Sequence, residues 1–210
     1  MLTDIIGKIR HKVRQRLVLL SMFNRLGVIG IKIRPYYLTQ EFLVDETDLS
    51  LNPKLEPMVA GFLSSSEIKE ICAHPETAEL EEETEKILED GCLCFGLKYN
   101  NEIVAYTWCD LCKCHDRMLL FLLKQDEVYL FKAYTYEAYR GKNLAPFLRL
   151  QLYKHLNEMG RTNFYSVTDF FNTPAVKFKK KLGAKPLKLF LRIGLFNKYH
   201  WNITLKEYQK

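Results

Sequence analysis

The chain has 210 residues, 48% of them hydrophobic and 27% charged, with a formal net charge of +6 and a pI near 8.9. That is the ordinary composition of a globular protein, with length enough for one full domain and an N-terminal extension. No apolar run approaches the roughly twenty residues that a spanning helix needs, so a transmembrane helix is excluded. The positive balance suits a polyanionic cofactor, an acidic substrate, an anionic membrane or nucleic acid, and charge does not choose among them.

Residues 1–26 carry the period of a helix. Leu2, Ile5, Ile6, Ile9, Val13, Leu17 and Leu20 form one apolar face, and Lys8, Arg10, His11, Lys12, Arg14, Arg16 and Arg25 crowd the rest. Such a basic amphipathic helix either packs on its own domain or lies on an anionic membrane surface. Gly27 and Gly30 end the pattern, and Ile31–Arg34 reads as a strand stopped by Pro35, the first strand of the sheet. The segment 36–57 is mixed and irregular, a loop with one short helical turn at most. Ser64 to Glu67 can cap a short helix running to Ile71 or beyond. Pro75–Asp90 reads as a second helix, with Leu80, Ile87 and Leu88 inward and a solvated carboxylate face from Glu76 to Glu89.

Cys92–Tyr99 and Glu102–Asp110 read as strands joined by Asn100-Asn101, residues that tolerate the positive φ of a tight hairpin. Cys109-x-x-Cys112-x-Cys114-His115 has the look of a ligand cluster, but a closed zinc site needs four ligands and Cys92-x-Cys94 alternates like a strand. The reading is therefore of buried or loop thiols and no metal, with metal binding as the alternative. Six cysteines without a signal-peptide pattern fit a reducing cytosol. Arg117–Lys124 is another strand or part of an insertion.

Glu127–Tyr134 alternates and is rich in aromatic and β-branched residues, the pattern of a strand. Leu144, Leu148, Leu152, Leu156 and Met159 then recur every three or four residues, an amphipathic helix that Asn143 can cap, Pro146 can start and Gly160 can stop. Between strand and helix, Arg140-Gly141-Lys142-Asn143 leaves backbone N–H groups and the positive end of a helix dipole facing outward, a setting for a pyrophosphate. An ordinary strand–turn–helix connection is the bland reading of the same residues. Asn163–Val167 is a short strand. A helix follows with Ala175, Phe178 and Leu182 buried and Gly183 after its end. Lys188–Leu195 and Trp201–Leu205 form a terminal antiparallel pair. No internal repeat or second-domain boundary is visible.

Arg140-Gly141-Lys142-Asn143-Leu144-Ala145, the helix and strand after it, Asn172 with Ala175, and Leu182-Gly183 together resemble the GNAT superfamily of acyl-CoA-dependent N-acyltransferases. In the family's Arg/Gln-x-x-Gly-x-Gly/Ala loop, Arg140, Asn143 and Ala145 take the marked positions, with Asn143 where many relatives have glycine. The resemblance covers roughly residues 92–196. It implies an α/β (α+β) fold, a mixed central sheet of about six to seven strands flanked by helices, with 1–26 as a helical extension and 27–210 as the acyltransferase domain. It also implies acetyl-CoA or another acyl-CoA as co-substrate. The pantetheine arm would lie along Ala133, Tyr134 and Thr135, and the pyrophosphate on Gly141 through Ala145. Arg140, Lys142, Leu144, Pro146 and Asn172 complete the expected contacts, and Lys179–Lys181 are further candidates for the phosphates or for their own helix end. The acceptor region between the first strands is where relatives differ most.

The resemblance has gaps. The family's leaving-group tyrosine is replaced by Lys179, and its glutamate base falls near Ser166. Asp169 is then the candidate base, and Tyr134 and Tyr136 are the candidate proton donors. The expected function is transfer of an acyl group, acetyl in the first instance, to a primary amine of a small molecule or protein, in the cytoplasm. One alternative is an acyl-CoA-binding or partner-binding module without catalysis. Another is a peripheral enzyme at the inner membrane face, held through residues 1–26 and acting on a lipid-linked acceptor. Nucleic acid is not an expected partner, since the basic residues are spread over several elements.

Overall fold

The computed structural model describes residues 16–43, 55, 57–77, 81–116 and 119–208. The chain forms two compact units. Among the described residues the smaller holds 16–38, 168–176 and 186–208, and the larger holds 57–77, 81–116, 119–167, 177–185, residues 39–43 and residue 55.

The smaller unit begins with helical residues 16–28, here α1. The expected helix over 1–26 is seen only from residue 16, and 1–15 lie outside the described residues. Strand β1 (Ile31–Glu41) follows, and its residues to Leu38 belong to this unit. It does not stop at Pro35. The proline carbonyl accepts from Phe170 N at 2.9 Å, so the strand runs on although the ring offers no N–H. Strands β9 (Lys185–Leu195) and β10 (Tyr199–Glu207) stand beside β1 in the order β10-β9-β1. β9 and β10 form an antiparallel hairpin in which Trp201 faces Ile193. Phe23 meets Phe171 and Tyr37 meets Phe170, with ring centroids 6.0 and 5.5 Å apart.

Strand β1 continues through Tyr36–Glu41 where the sequence predicts a loop, its last residues, Thr39–Glu41, belonging to the larger unit, whose outer sheet edge is β2 (Met58–Phe62). The end of β1, Thr39–Glu41, lies instead beside β8 (Asn163–Asp169), not at the start of the antiparallel series. Helix α2 (Ser65–Ala73) opens with the expected capping box, Ser64 and Glu67 each bonding the other's backbone N–H. Residues 75–77 form a turn, 78–80 lie outside the described residues, and α3 is Glu81–Glu89. Leu88 is exposed, not inward.

Strands β3 (Leu93–Tyr99) and β4 (Glu102–Asp110) make the hairpin, with φ of 49° and 67° at Asn100 and Asn101. A ribbon of β5 (Lys113–His115) and β6 (Leu120–Leu122) leads to β7 (Glu127–Thr135). The order is β8-β7-β4-β3-β2, antiparallel except for parallel β7 and β8. This is the mixed α/β architecture expected, with eight sheet strands over the two units against six or seven foreseen.

Strand alternation sorts the core onto two faces. Phe95, Leu97, Ala105 and Cys109 pack with Leu144, Leu148, Leu152 and Leu156 of α4 (Leu144–Glu158), while Cys94, Tyr106 and Trp108 pack with Ile68 and Ile71 of α2. Full burial of each leucine contributes about 1.5–3 kcal/mol. Met159, expected on the stripe, is exposed: the helix ends at Glu158, with Met159 as its C-cap and Gly160 turning the chain away at φ +78°. Helix α5 (Thr173–Lys181) closes with Leu182 buried and Gly183 at φ +73°.

Candidate active site

The site is built where β7 loses its partner on one side. Its parallel pairing with β8 covers Glu127–Tyr129 against Asn163–Tyr165 and goes no further. On the other side, β4 stays paired to Thr135, but the register shifts: Trp108 faces Phe131 and Tyr106 faces Tyr134, so Lys132 and Ala133 together oppose Thr107. That is a β-bulge, with Lys132 at φ 46°. Lys132 and Ala133 are exposed in consequence.

Beyond Thr135 the chain turns through a short 3-10 segment, Glu137–Tyr139, into α4. Arg140 braces this turn: its Nε donates to Thr135 O at 3.1 Å, one terminal nitrogen pairs with Glu137 at 2.7 Å and the other donates to the Tyr134 hydroxyl at 3.2 Å. The guanidinium expected on phosphate is thus committed to the loop itself. Gly141 at φ +76° and Asn143 at φ 62° flank Lys142, an alternation that brings successive N–H groups to one side. Asn143 makes no side-chain cap, contrary to the expectation; its contribution is the left-handed backbone that asparagine tolerates. Among the described residues the N–H groups of Gly141, Lys142, Asn143, Leu144 and Ala145 have no hydrogen-bond partner, and a Cβ at Gly141 would meet nothing. These amides share the positive end of a 15-residue helix.

The opposite face of β7 carries a second group of residues. Tyr134 donates to Glu76 Oε2 at 2.9 Å, and the Glu137 N–H donates to the same oxygen at 3.1 Å. Burial would raise the Glu76 carboxyl, but the Glu137 amide, the Tyr134 hydroxyl, His74 and Arg140 outweigh it and hold it below its ordinary value. Burial and the bond to Glu76 keep the Tyr134 phenol protonated above its own. Tyr136 is buried, its ring 3.9 Å from that of His74. Lys132 pairs with Glu83 of α3 at 2.6 Å. Glu76 was read as one more carboxylate on a solvated helix face, and no sequence pattern separates it from its neighbours.

Asp169 and Asn172 belong to the smaller unit. Asp169 Oδ1 accepts from Phe171 N at 2.7 Å and Asn172 Oδ1 accepts from Ala175 N at 3.1 Å, the latter as a cap for α5. Lys179 does not face outward as one of a lysine run. It is 95% buried or more with Glu41, Arg149, Tyr153 and Ser166. Its Nζ donates to Ser166 Oγ at 2.6 Å and lies 3.5 Å from Glu41, while Ser166 and Tyr153 both donate to the Glu41 carboxylate. Burial, with Arg149, pushes the Lys179 ammonium down to about 8, against the pull of Glu41. The Glu41 carboxyl is raised by burial, yet Arg149, Lys179, Ser166 and Tyr153 bring it below its usual value. The burial cost falls on the lysine because Arg149 already serves the same carboxylate. Among the described residues no three His, Cys, Asp or Glu are placed to hold a metal ion.

The model of the acetyltransferase (GNAT) family matches residues 55–184. No curated protein matches the chain. Among solved structures, a GCN5-related N-acetyltransferase-like protein from Streptococcus suis has 16% identity and a TM-score of 0.55, covering 83% of this chain and 66% of its own. A GNAT-family acetyltransferase from Colwellia psychrerythraea has 17% identity and a TM-score of 0.54, with 79% and 57% covered. The glucosamine N-acetyltransferase region of a fungal multi-domain GH3 β-N-acetylglucosaminidase has 14% identity and a TM-score of 0.57, with 87% and 22% covered. At these identities the likeness is one of fold, and the chain spans less than two thirds of each neighbour's length.

Proposed function

This chain belongs to the acetyltransferase (GNAT) family, and from that premise we propose that it transfers an acyl group, acetyl in the first instance, from acyl-CoA to the amine of a small molecule. The observation that carries the reading is the run of unbonded amides from Gly141 to Ala145 directly after the unpaired end of β7. These residues fit acyl-CoA. An extended pantetheine arm can add to the free edge at Ala133 and Thr135 through main-chain hydrogen bonds, and a diphosphate suits five unbonded amides at a helix N-terminus. Lys142 adds a positive charge, its Nζ resting over the Tyr139 ring at 5.0 Å.

The chemistry is attack of a neutral amine on a thioester carbonyl. Glu76 holds the incoming ammonium as its counter-ion, because a carboxylate kept below its ordinary pKa is a good anion and a poor base. The proton leaves to solvent before attack. The single O–H of Tyr134, which donates to Glu76 in the free protein, would have to turn from that carboxylate, once the substrate ammonium pairs with it, to donate to the departing sulfur. Most of the acceleration then comes from positioning. Titration calorimetry with acetyl-CoA, followed by thiol release over a panel of amines, tests this. Binding with amine-dependent thiol release supports it, binding without release makes the chain a binding module, and no binding at about millimolar cofactor ends the reading.

A further inference from the structure

The surface of the smaller unit carries a feature with no part in acyl transfer. The β9–β10 hairpin turns at Phe196 and Asn197, both at positive φ, 49° and 57°, with Lys198 N bonded to Leu195 O at 3.0 Å. A turn of that kind favours Asn, Asp or Gly at its first central position. A phenylalanine there strains the backbone, and burial returns little, for Phe196 is 72% exposed. The neighbouring turn at the end of α1 meets it: Phe196 N donates to Gly30 O at 2.7 Å, and the ring lies over Gly30, where a Cβ would come within 2.6 Å. The two turns share one tip. It presents Val28, 87% exposed, with Ile29, Phe196 and Tyr199 also exposed, and Trp201 stacks beside Tyr199 at 6.2 Å.

The charge around the tip has one sign. The described residues of the smaller unit contain eight Lys and Arg against two carboxylates, Asp169 and Glu207. Arg25, Lys32 and Lys198, close to the tip in sequence, have no carboxylate partner among the described residues. Aliphatic and aromatic side chains at a point, ringed by cations, are complementary to an anionic lipid surface: hydrocarbon takes the tip and headgroups take the ring. A second copy of the chain would bring the same positive charge against itself. Among the described residues no helix is long and apolar enough to cross a membrane, so the contact would be at the surface.

We propose that the paired turns at Gly27–Gly30 and Phe196–Lys198 form a docking tip for an anionic membrane. This is independent of residues 1–15 and of the acyltransferase reading. The test uses the full chain in flotation with phosphatidylcholine vesicles, with and without about 30% phosphatidylserine, at low and high salt. The wild type is expected to float with the anionic vesicles and to be released by salt. The decisive variant is Phe196→Asn, which relieves the turn: its Tm is expected to hold or rise while its partition falls by about tenfold. Val28→Asp with Ile29→Asp, on exposed positions, is expected to lose partition at unchanged fold by circular dichroism. Arg25→Glu with Lys198→Glu is expected to abolish the preference for phosphatidylserine. Wild-type partition equal on both vesicles, or unchanged in Phe196→Asn, overturns the proposal. So does self-association in sedimentation that these variants dissolve, which would give the tip to a second copy.

Discussion

Tyr134 and Glu76, 58 positions apart, are joined by a hydrogen bond of 2.9 Å from the phenol to the carboxylate. The bond ties the turn after α2 to the bulged end of β7. It leaves an anion and a protonated phenol side by side before the turn into α4, a pair suited to a cationic amine.

Replacing Glu76 separates charge from shape. Glu76→Gln keeps a hydrogen-bond acceptor for Tyr134 and removes the anion. In thiol-release kinetics its KM for a cationic amine should rise by on the order of tenfold, with calorimetric acetyl-CoA affinity within about twofold of wild type. An equal loss of affinity for both substrates would show Glu76 to be structural.

The loop gives a test through backbone conformation. Asn143 sits at φ 62°, where a β-branched residue costs about 1–2 kcal/mol and glycine costs nothing sterically. Asn143→Val should lower Tm by several degrees and weaken acetyl-CoA binding on the order of tenfold, while Asn143→Gly should bind at least as well as wild type. Thermal shift and calorimetry on the two variants read the difference.

The buried charge cluster predicts a pH profile for stability. The Lys179 pKa falls from 10.5 to about 8 on folding, so between these values the unfolded chain holds more protons and stability rises with pH. Lys179→Met should abolish that rise in urea denaturation. For Glu41 the slope has the same sign in an acid window: its folded pKa is below 4.5, so its contribution is complete above 4.5 and is lost as pH falls through the folded value. Glu41→Gln should cost about 3–5 kcal/mol near neutrality, because it strands Arg149 and Lys179 without their shared anion.

Thiol reactivity should divide the cysteines. Cys112 is exposed, whereas Cys92, Cys109 and Cys114 are buried and their thiols pushed up to about 12, with burial as the first cause. Alkylation of the native protein followed by peptide mass spectrometry should label Cys112 well before these three, since the thiolate is the reactive form. Equal rates would mean that the β3–β4 core opens readily.

The elements with strong local signals were legible in the residues. The capping box at Ser64 and Glu67, the hairpin at Asn100-Asn101, the stripe from Leu144 to Leu156 and the glycines at 160 and 183 all act within a few residues of themselves. In the loop Arg140–Ala145 the strand-to-helix turn was legible, but the cap expected of Asn143 is not made. Pro35 misled because a proline stops a strand only where its missing N–H is needed. Met159 misled because a stripe cannot tell how far a helix cap lets it run.

The rest depends on contacts between distant residues. Nothing in the Lys179–Lys181 run marks its first member as the buried partner of Glu41, 138 positions earlier, and nothing marks Glu76 among its acidic neighbours as the one Tyr134 reaches. The sequence alone determined the family, the alternation of strands and helices, and the turn from β7 into α4, because periodicity and turn chemistry are written in adjacent residues. Tertiary structure alone decided where β7 parts from β8, which charges are buried, and which turns meet at a tip, because these follow from packing between segments that the chain order keeps apart.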